Sequence, residues 1–130
     1  MIDTQWRNME MFDFIDLEDT FVLSWKISKV RLTFNVEFSL WPGHSHYRTP
    51  EPDRHTCYRE GKLHFLNPSN VEGLLSMQDA RPSISADGTK DYGNFDTLST
   101  SATNTFQVFG DFGEVHGTYD QIEIEIGNVA

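Results

Sequence analysis

Apolar and polar residues alternate most regularly between Phe21 and Trp41, and this stretch predicts the element around which the chain folds. In its second half every other residue is apolar: Val30, Leu32, Phe34, Val36, Phe38 and Leu40. The first half alternates more briefly through four apolar residues: Phe21, Leu23, Trp25 and Ile27. Because successive side chains of a strand point to opposite faces, this spacing predicts two strands, each with one buried face. Ser28-Lys29 between them predicts a tight turn, and therefore an antiparallel hairpin.

Later segments carry the same signal of short strands separated by turn residues. Residues 55–58 and 62–66 predict a second hairpin that turns at Glu60-Gly61, and residues 106–109 and 114–116 predict a third. The last strand is predicted over residues 119–126, where three isoleucines alternate with polar residues. There is no internal repeat and no clear amphipathic helix. These patterns predict a single all-β domain over residues 1–130, either an antiparallel sandwich or a rolled, barrel-like sheet around the long hairpin.

Composition agrees with one folded domain and bears on the compartment. The chain has 130 residues, of which 38% are hydrophobic and ten are Phe, enough for one core. No apolar run approaches the roughly 18 residues of a membrane span, and the start lacks the pattern of a signal peptide. A single cysteine, Cys57, fits a reducing environment. The sequence therefore predicts a cytoplasmic protein.

The charge is strongly negative and unevenly distributed. The formal net charge is -10, and residues 66–130 hold ten acidic residues against only Arg81 and Lys90. After Lys90 only acidic charges follow: Asp91, Asp96, Asp111, Glu114, Asp120, Glu123 and Glu125. Such a field repels nucleic acid and anionic lipid, so we expect neither as a partner. It would attract a basic protein, with Glu114, Glu123 and Glu125 as predicted contacts; the alternative is that the charge serves solubility alone.

Residues 41–54 form a long loop with three prolines and aromatic side chains. Long loops in compact domains are often functional. Trp41 and Tyr47 lie in this loop and Tyr58 follows it, with arginines nearby, a composition typical of protein-binding hot spots. We therefore predict that these three aromatics contact a partner. The alternative is that they hold the loop against the core.

The same region contains the best candidate metal ligands. His44-Ser45-His46 and His55-Thr56-Cys57 each place two ligands on one side of an extended backbone. The four side chains His44, His46, His55 and Cys57 match the nitrogen and sulfur ligands of tetrahedral zinc. This pattern keeps open a metal-binding module or a metal-dependent enzyme as the alternative function. Ordinary surface histidines and a half-buried cysteine explain the same residues.

Two acidic segments are weaker candidates, and no catalytic motif is present. The segment Asp87-Gly88-Thr89-Lys90-Asp91 has the oxygen ligands of a calcium site, but an Asx turn explains it equally. A second acidic cluster consists of Asp13, Asp16, Glu18 and Asp19. The nucleophile elbow, the Walker loop and the dinucleotide fingerprint are all missing, which favours a non-enzymatic protein.

Two segments carry a family resemblance. DFIDLEDTFVLSW (13–25) leads into the long alternating strand, and GDFGEVHGTYDQIEIEI (110–126) forms the end of the chain. With these segments the chain resembles small all-β bacterial proteins of unknown function, of the immunity protein 50 type. The resemblance implies a protein that binds and neutralises a toxin, and it brings no catalytic residues. A homo-oligomer formed by pairing of the alternating strands across chains also stays open.

Overall fold

The protein is described by a computed structural model, which defines residues 3–50, 52 and 56–127. The regular secondary structure in this part of the chain is almost entirely β-strand. Its strands are β1 (Thr4–Gln5), β2 (Ile15–Ile27), β3 (Arg31–Leu40), β4 (Cys57–Leu66), β5 (Ser69–Leu74), β6 (Ser83–Ile84), β7 (Lys90–Asp91), β8 (Phe95–Thr100), β9 (Thr105–Gly110), β10 (Gly113–Thr118) and β11 (Ile122–Ile126). Two single-turn 3-10 helices, Trp6–Asn8 and Glu10–Phe12, precede β2.

The strands form two main sheets that pack face to face. One has four strands in the order β11-β4-β3-β2, and the other has five in the order β1-β8-β9-β10-β5. The short strands β6 and β7 form a separate hairpin beside β2. All strand pairs are antiparallel, and within the described residues neither main sheet closes on itself. The predicted all-β fold is confirmed, in its sandwich form and not as a closed barrel.

Phenylalanine side chains fill the layer between the two sheets. The ring of Phe34 on β3 lies 5.6 Å from that of Phe95 on β8 and 4.7 Å from that of Phe112 in the β9–β10 turn. Phe65 on β4 stacks on Phe106 of β9 with their centroids 4.4 Å apart. All five rings are almost fully buried. The high phenylalanine content therefore serves the contact between the sheets.

The predicted long hairpin is confirmed as β2 and β3, although its turn is longer than predicted. Ser28 organises the turn, because its side-chain oxygen accepts hydrogen bonds from the backbone N–H groups of Val30 and Arg31. Val30 lies in this turn and is 57% exposed, and Ile27 is also largely exposed. Their predicted place on the buried face is therefore wrong, because the turn lies beyond the edge of the core.

A β-bulge in β2 reverses the predicted orientation of the apolar side chains that precede it, whereas Trp25 beyond the bulge is buried as predicted. Val22 and Ser24 pair with adjacent residues of β3, so β2 carries one extra residue at Leu23. Val22 is consequently fully buried in the core. Phe21 and Leu23, predicted to be buried, instead line the outer surface of the sheet. The bulge thus supplies apolar side chains to a surface that would otherwise be polar.

The predicted turn at Glu60-Gly61 is wrong, because β4 continues through it. Gly61 pairs with β3 on one side and β11 on the other. A Cβ at this position would lie 2.2 Å from the backbone oxygen of Glu125 and 2.8 Å from the ring of Phe38. Glycine is required here by the close approach of these groups. The other two predicted elements, the hairpin over residues 106–116 and the final strand, are confirmed as β9–β10 and β11.

Candidate functional site

The outer face of the four-stranded sheet carries a groove that crosses its strands. Among the described residues it consists of three adjoining cavities of about 470, 540 and 300 Å³. Leu23 and Glu60 line both the first and the second cavity, and Asn35 and Lys62 line both the second and the third. We call the whole surface the outer groove. Its two ends differ sharply in charge.

One end of the outer groove is acidic and aromatic. This 470 Å³ cavity lies between the sheet and the β6–β7 hairpin, and we call it the acidic cleft. Its charged and aromatic lining consists of Phe21, Glu37, Tyr58, Glu60, Lys90 and Asp91. Among the described residues of this lining, three carboxylates face one lysine. The excess negative charge gives the cleft an electrostatic preference for cations.

Two of these carboxylates are placed directly opposite each other. In the register of β3 and β4, Glu37 pairs with Glu60, and both side chains lie on the outer face. Directly opposed like charges on neighbouring strands are destabilising, on the scale of about 0.2–1 kcal/mol for such pairs. The two glutamates therefore concentrate negative charge at the base of the cleft.

The aromatic wall of the cleft is fixed by hydrogen bonds. The rings of Phe21 and Tyr58 lie 5.5 Å apart, centroid to centroid. The Tyr58 hydroxyl donates a hydrogen bond of 2.9 Å to Asp19, which also accepts one from the hydroxyl of Ser39. Burial, followed by the hydrogen bond to Asp19 and its negative charge, raises the pKa of Tyr58 to about 12. Tyr58 is therefore held in place and protonated at neutral pH.

This environment makes the ionisation of Tyr58 a test of the cleft geometry. The pKa of an unperturbed tyrosine is about 10. Folding therefore favours the protonated phenol: the resulting stabilisation is complete below pH 10 and is lost as the pH rises to about 12. Titration of phenolate absorbance in the wild type should include a component near pH 12 that is lost in Tyr58→Phe. Asp19→Asn should lower that pKa; a late titration that survives Tyr58→Phe would contradict the assignment.

The predicted loop aromatics do not line the acidic cleft. Trp41 follows β3 and is 52% exposed, whereas Tyr47 packs against the core. Next to Trp41 lies Phe14, whose carbonyl accepts a hydrogen bond from the Trp41 backbone N–H and whose ring covers Gly43. Phe14 is about half exposed and has a φ of 61°, an uncommon backbone conformation for a bulky residue. Trp41 and Phe14 thus form a second exposed aromatic surface.

The three predicted acidic contacts lie on two different sheets. Glu123 and Glu125 project from the outer face of β11, and Glu125 lines the middle cavity of the outer groove. Glu114 is exposed on β10, which belongs to the five-stranded sheet. The structure therefore joins Glu125 to the groove, and it separates Glu114 from it.

The predicted zinc ligands are only partly described. The rings of His44 and His46 lie 5.6 Å apart, and the Nδ1 atom of His44 accepts a hydrogen bond from the backbone N–H of His46. Burial, and secondarily the neighbouring His46, lowers the pKa of His44. Cys57 is buried and its sulfur accepts a hydrogen bond from the backbone N–H of Arg48. His55 lies outside the described residues, and within them no three His, Cys, Asp or Glu side chains form a metal-binding group.

The two acidic segments have structural roles. A side-chain oxygen of Asp87 accepts hydrogen bonds from the backbone N–H and the hydroxyl of Thr89, which is the geometry of an Asx turn at the tip of the β6–β7 hairpin. In the N-terminal acidic cluster, Glu18 forms an ion pair with Arg7, and Asp19 anchors Tyr58.

Sequence reasoning identified Tyr58 but missed the other residues of the cleft. The sequence pattern identifies Glu37 and Glu60 only as polar residues. It does not predict that they are opposite each other, because that depends on the register of β3 against β4 across the long loop. Asp91 reaches the cleft because β7 lies beside β2. If Gly61 is placed inside a strand, residues 57–66 predict one continuous strand, β4, and Glu60 then lies in a strand and not in a turn.

Comparison with known proteins adds no assignment. No family model matches the chain, and neither the curated proteins nor the solved structures contain a match. In the described part of the chain, no helix has the length and apolar character needed to cross a membrane.

Proposed function

We propose that this protein is a non-enzymatic protein-binding protein whose acidic cleft receives basic side chains of a partner. The observation that carries the proposal is the cross-strand pair of Glu37 and Glu60 on the outer face. A lysine or arginine placed between them would form charge-assisted contacts with both carboxylates. This is the binding expected of an immunity protein that neutralises a basic toxin, the role that the family resemblance implies.

The aromatic wall favours arginine over lysine in the cleft. Phe21 and Tyr58 present neighbouring rings beside the two carboxylates. A guanidinium group stacks on aromatic faces and donates parallel hydrogen bonds to carboxylates, whereas an ammonium group is a strongly hydrated point charge. We therefore expect the partner to contribute at least one arginine at the centre of the contact.

The overall charge supports rapid capture of such a partner. The chain carries a formal net charge of -10 at pH 7. A field of this sign accelerates the approach of a basic protein and loses strength as salt is added. Binding through the cleft should therefore weaken with ionic strength.

A pair of isosteric substitutions tests the proposal. The variant Glu37→Gln/Glu60→Gln should bind a short synthetic peptide of alternating arginine and glycine about 2- to 30-fold more weakly than the wild type in calorimetric titrations, if each exposed ion pair contributes about 0.2–1 kcal/mol. The matched control Glu72→Gln/Glu114→Gln removes the same charge from the five-stranded sheet. It should change the affinity less than twofold.

The stability of a cleft variant provides a second test, because it should change in the opposite direction to the affinity for the peptide. The single change Glu60→Gln removes the cross-strand repulsion, so it should raise the free energy of unfolding by about 0.2–1 kcal/mol while weakening peptide binding. Urea denaturation measures this difference. Equal losses of affinity in the cleft and control variants, or no binding by the wild type at low salt, would rule out the cleft as the binding site.

A further inference from the structure

The opposite end of the outer groove is basic. This cavity of about 300 Å³ is lined by Lys26, Arg31, Thr33, Asn35, Lys62 and His64, together with one serine, and we call it the basic pocket. Among the described residues, its lining contains three cationic side chains and no carboxylate, although the carboxylate of Glu125 lies 3.4 Å from the lining residue His64. In a chain with only ten lysines and arginines against twenty acids, this concentration of positive charge is unusual.

The pocket is assembled by the register of three adjacent strands. Arg31 lies on the central strand β3, while Lys26 on β2 pairs with Thr33 and Lys62 on β4 pairs with Asn35. The two lysines thus flank β3 from both sides. Within the part of the chain that the structure describes, none of the three cations has a carboxylate within 4.0 Å. Their mutual repulsion is therefore not offset by an ion pair.

A buried histidine forms part of the pocket wall. The side chain of His64 is only 3% exposed and lines the pocket. Its Nδ1 atom shares a hydrogen bond of 2.7 Å with the hydroxyl of Thr33. Its Nε2 atom lies 3.4 Å from a carboxylate oxygen of Glu125 but forms no hydrogen bond with any described group. The ring of His64 thus bridges the pocket wall on β3 and the neighbouring strand β11.

We propose that the basic pocket binds a doubly charged oxyanion, the phosphate group of a small soluble molecule. Arg31 would supply parallel hydrogen bonds to two oxygens, and Lys26 and Lys62 would act as flanking point charges. Thr33 and Asn35 place a hydroxyl and an amide in the same lining. The volume of the pocket suits a phosphate group and a few attached atoms. This site is independent of the basic partner proposed for the acidic cleft.

Titration with inorganic phosphate tests the proposal directly. In heteronuclear NMR spectra of the wild type, phosphate should cause saturable shifts of the backbone amides of Lys26, Arg31, Lys62 and their neighbours. Sodium chloride at matched ionic strength should not cause saturable shifts, because the site is specific for a dianion. Lys62→Met should weaken the phosphate affinity about tenfold, the scale expected for loss of one charge-assisted contact at a partly exposed site.

A control variant separates a specific site from general charge effects. Arg48→Met removes the same charge near the opposite end of β3 from Arg31, and it should change the phosphate affinity less than twofold. Arg31→Met provides a second test, and thermal denaturation checks that each variant is folded. Shifts that grow linearly with phosphate, or equal affinities in Lys62→Met and Arg48→Met, would overturn the proposal.

Discussion

Replacing Phe34 with alanine should lower the free energy of unfolding by about 3–5 kcal/mol, as expected for the loss of a buried aromatic ring. Phe34 is fully buried on β3, and its ring contacts rings from both sheets. The substitution removes apolar contacts and leaves a cavity between rigid strands, which cannot collapse to fill it. The effect on stability should therefore be large.

Urea denaturation followed by tryptophan fluorescence measures this loss. Val30→Ala is the appropriate control, because Val30 belongs to the same alternating pattern in the sequence but is 57% exposed. It should change the free energy of unfolding by no more than about 0.5 kcal/mol. Similar losses for the two variants would contradict the placement of Phe34 between the sheets and of Val30 in the turn.

Replacing Gly73 with alanine should destabilise the protein by about 2–5 kcal/mol, the sum of a backbone and a packing cost. Gly73 on β5 has a φ of +91°, which costs about 1–2 kcal/mol for any residue with a Cβ atom. In addition, its Cβ would lie 1.9 Å from the backbone oxygen of Glu114. Because backbone cannot move aside as a flexible side chain can, β5 would have to shift away from β10.

Gly88→Ala separates the two contributions. Gly88 has nearly the same backbone conformation, with a φ of +88°, but no atom lies within 4 Å of the position that an alanine Cβ would take there. Its substitution should cost only the backbone contribution of about 1–2 kcal/mol. Chemical denaturation of both variants gives the difference. If Gly73→Ala were no more destabilising than Gly88→Ala, the close pairing of β5 with β10 would be wrong.

The sequence was sufficient to predict the fold class, because alternation is a local property. Phe34, Phe38 and the isoleucines of β11 identify strands without knowledge of their neighbours. Errors arose where a local signal has two physical causes. A glycine in the sequence can indicate either a turn or a strand position where another group lies too close for a side chain. Gly61 is the second case, because the ring of Phe38 and the backbone of β11 lie against it.

The candidate site was much less predictable, because it depends on register and on a bulge. The extra residue in β2 turns Phe21 toward the groove, and nothing in the alternation of that segment indicates a bulge. The opposition of Glu37 to Glu60 depends on how β3 and β4 pair across the long loop. Tyr58 was predicted as a contact because the region around the long loop is rich in aromatic residues. Asp19, which accepts the hydrogen bond from its hydroxyl, lies 39 residues away in the sequence.

NMR mapping of the arginine–glycine peptide would show directly whether the acidic cleft binds basic side chains. The shifted amides should cluster on β2, β3 and β4 around Phe21, Glu37 and Glu60 and on the β6–β7 hairpin. In the Glu37→Gln/Glu60→Gln variant, the same shifts should need about 2- to 30-fold more peptide to reach saturation. Shifts centred on the five-stranded sheet, or spread evenly over the acidic surface, would contradict binding in the cleft.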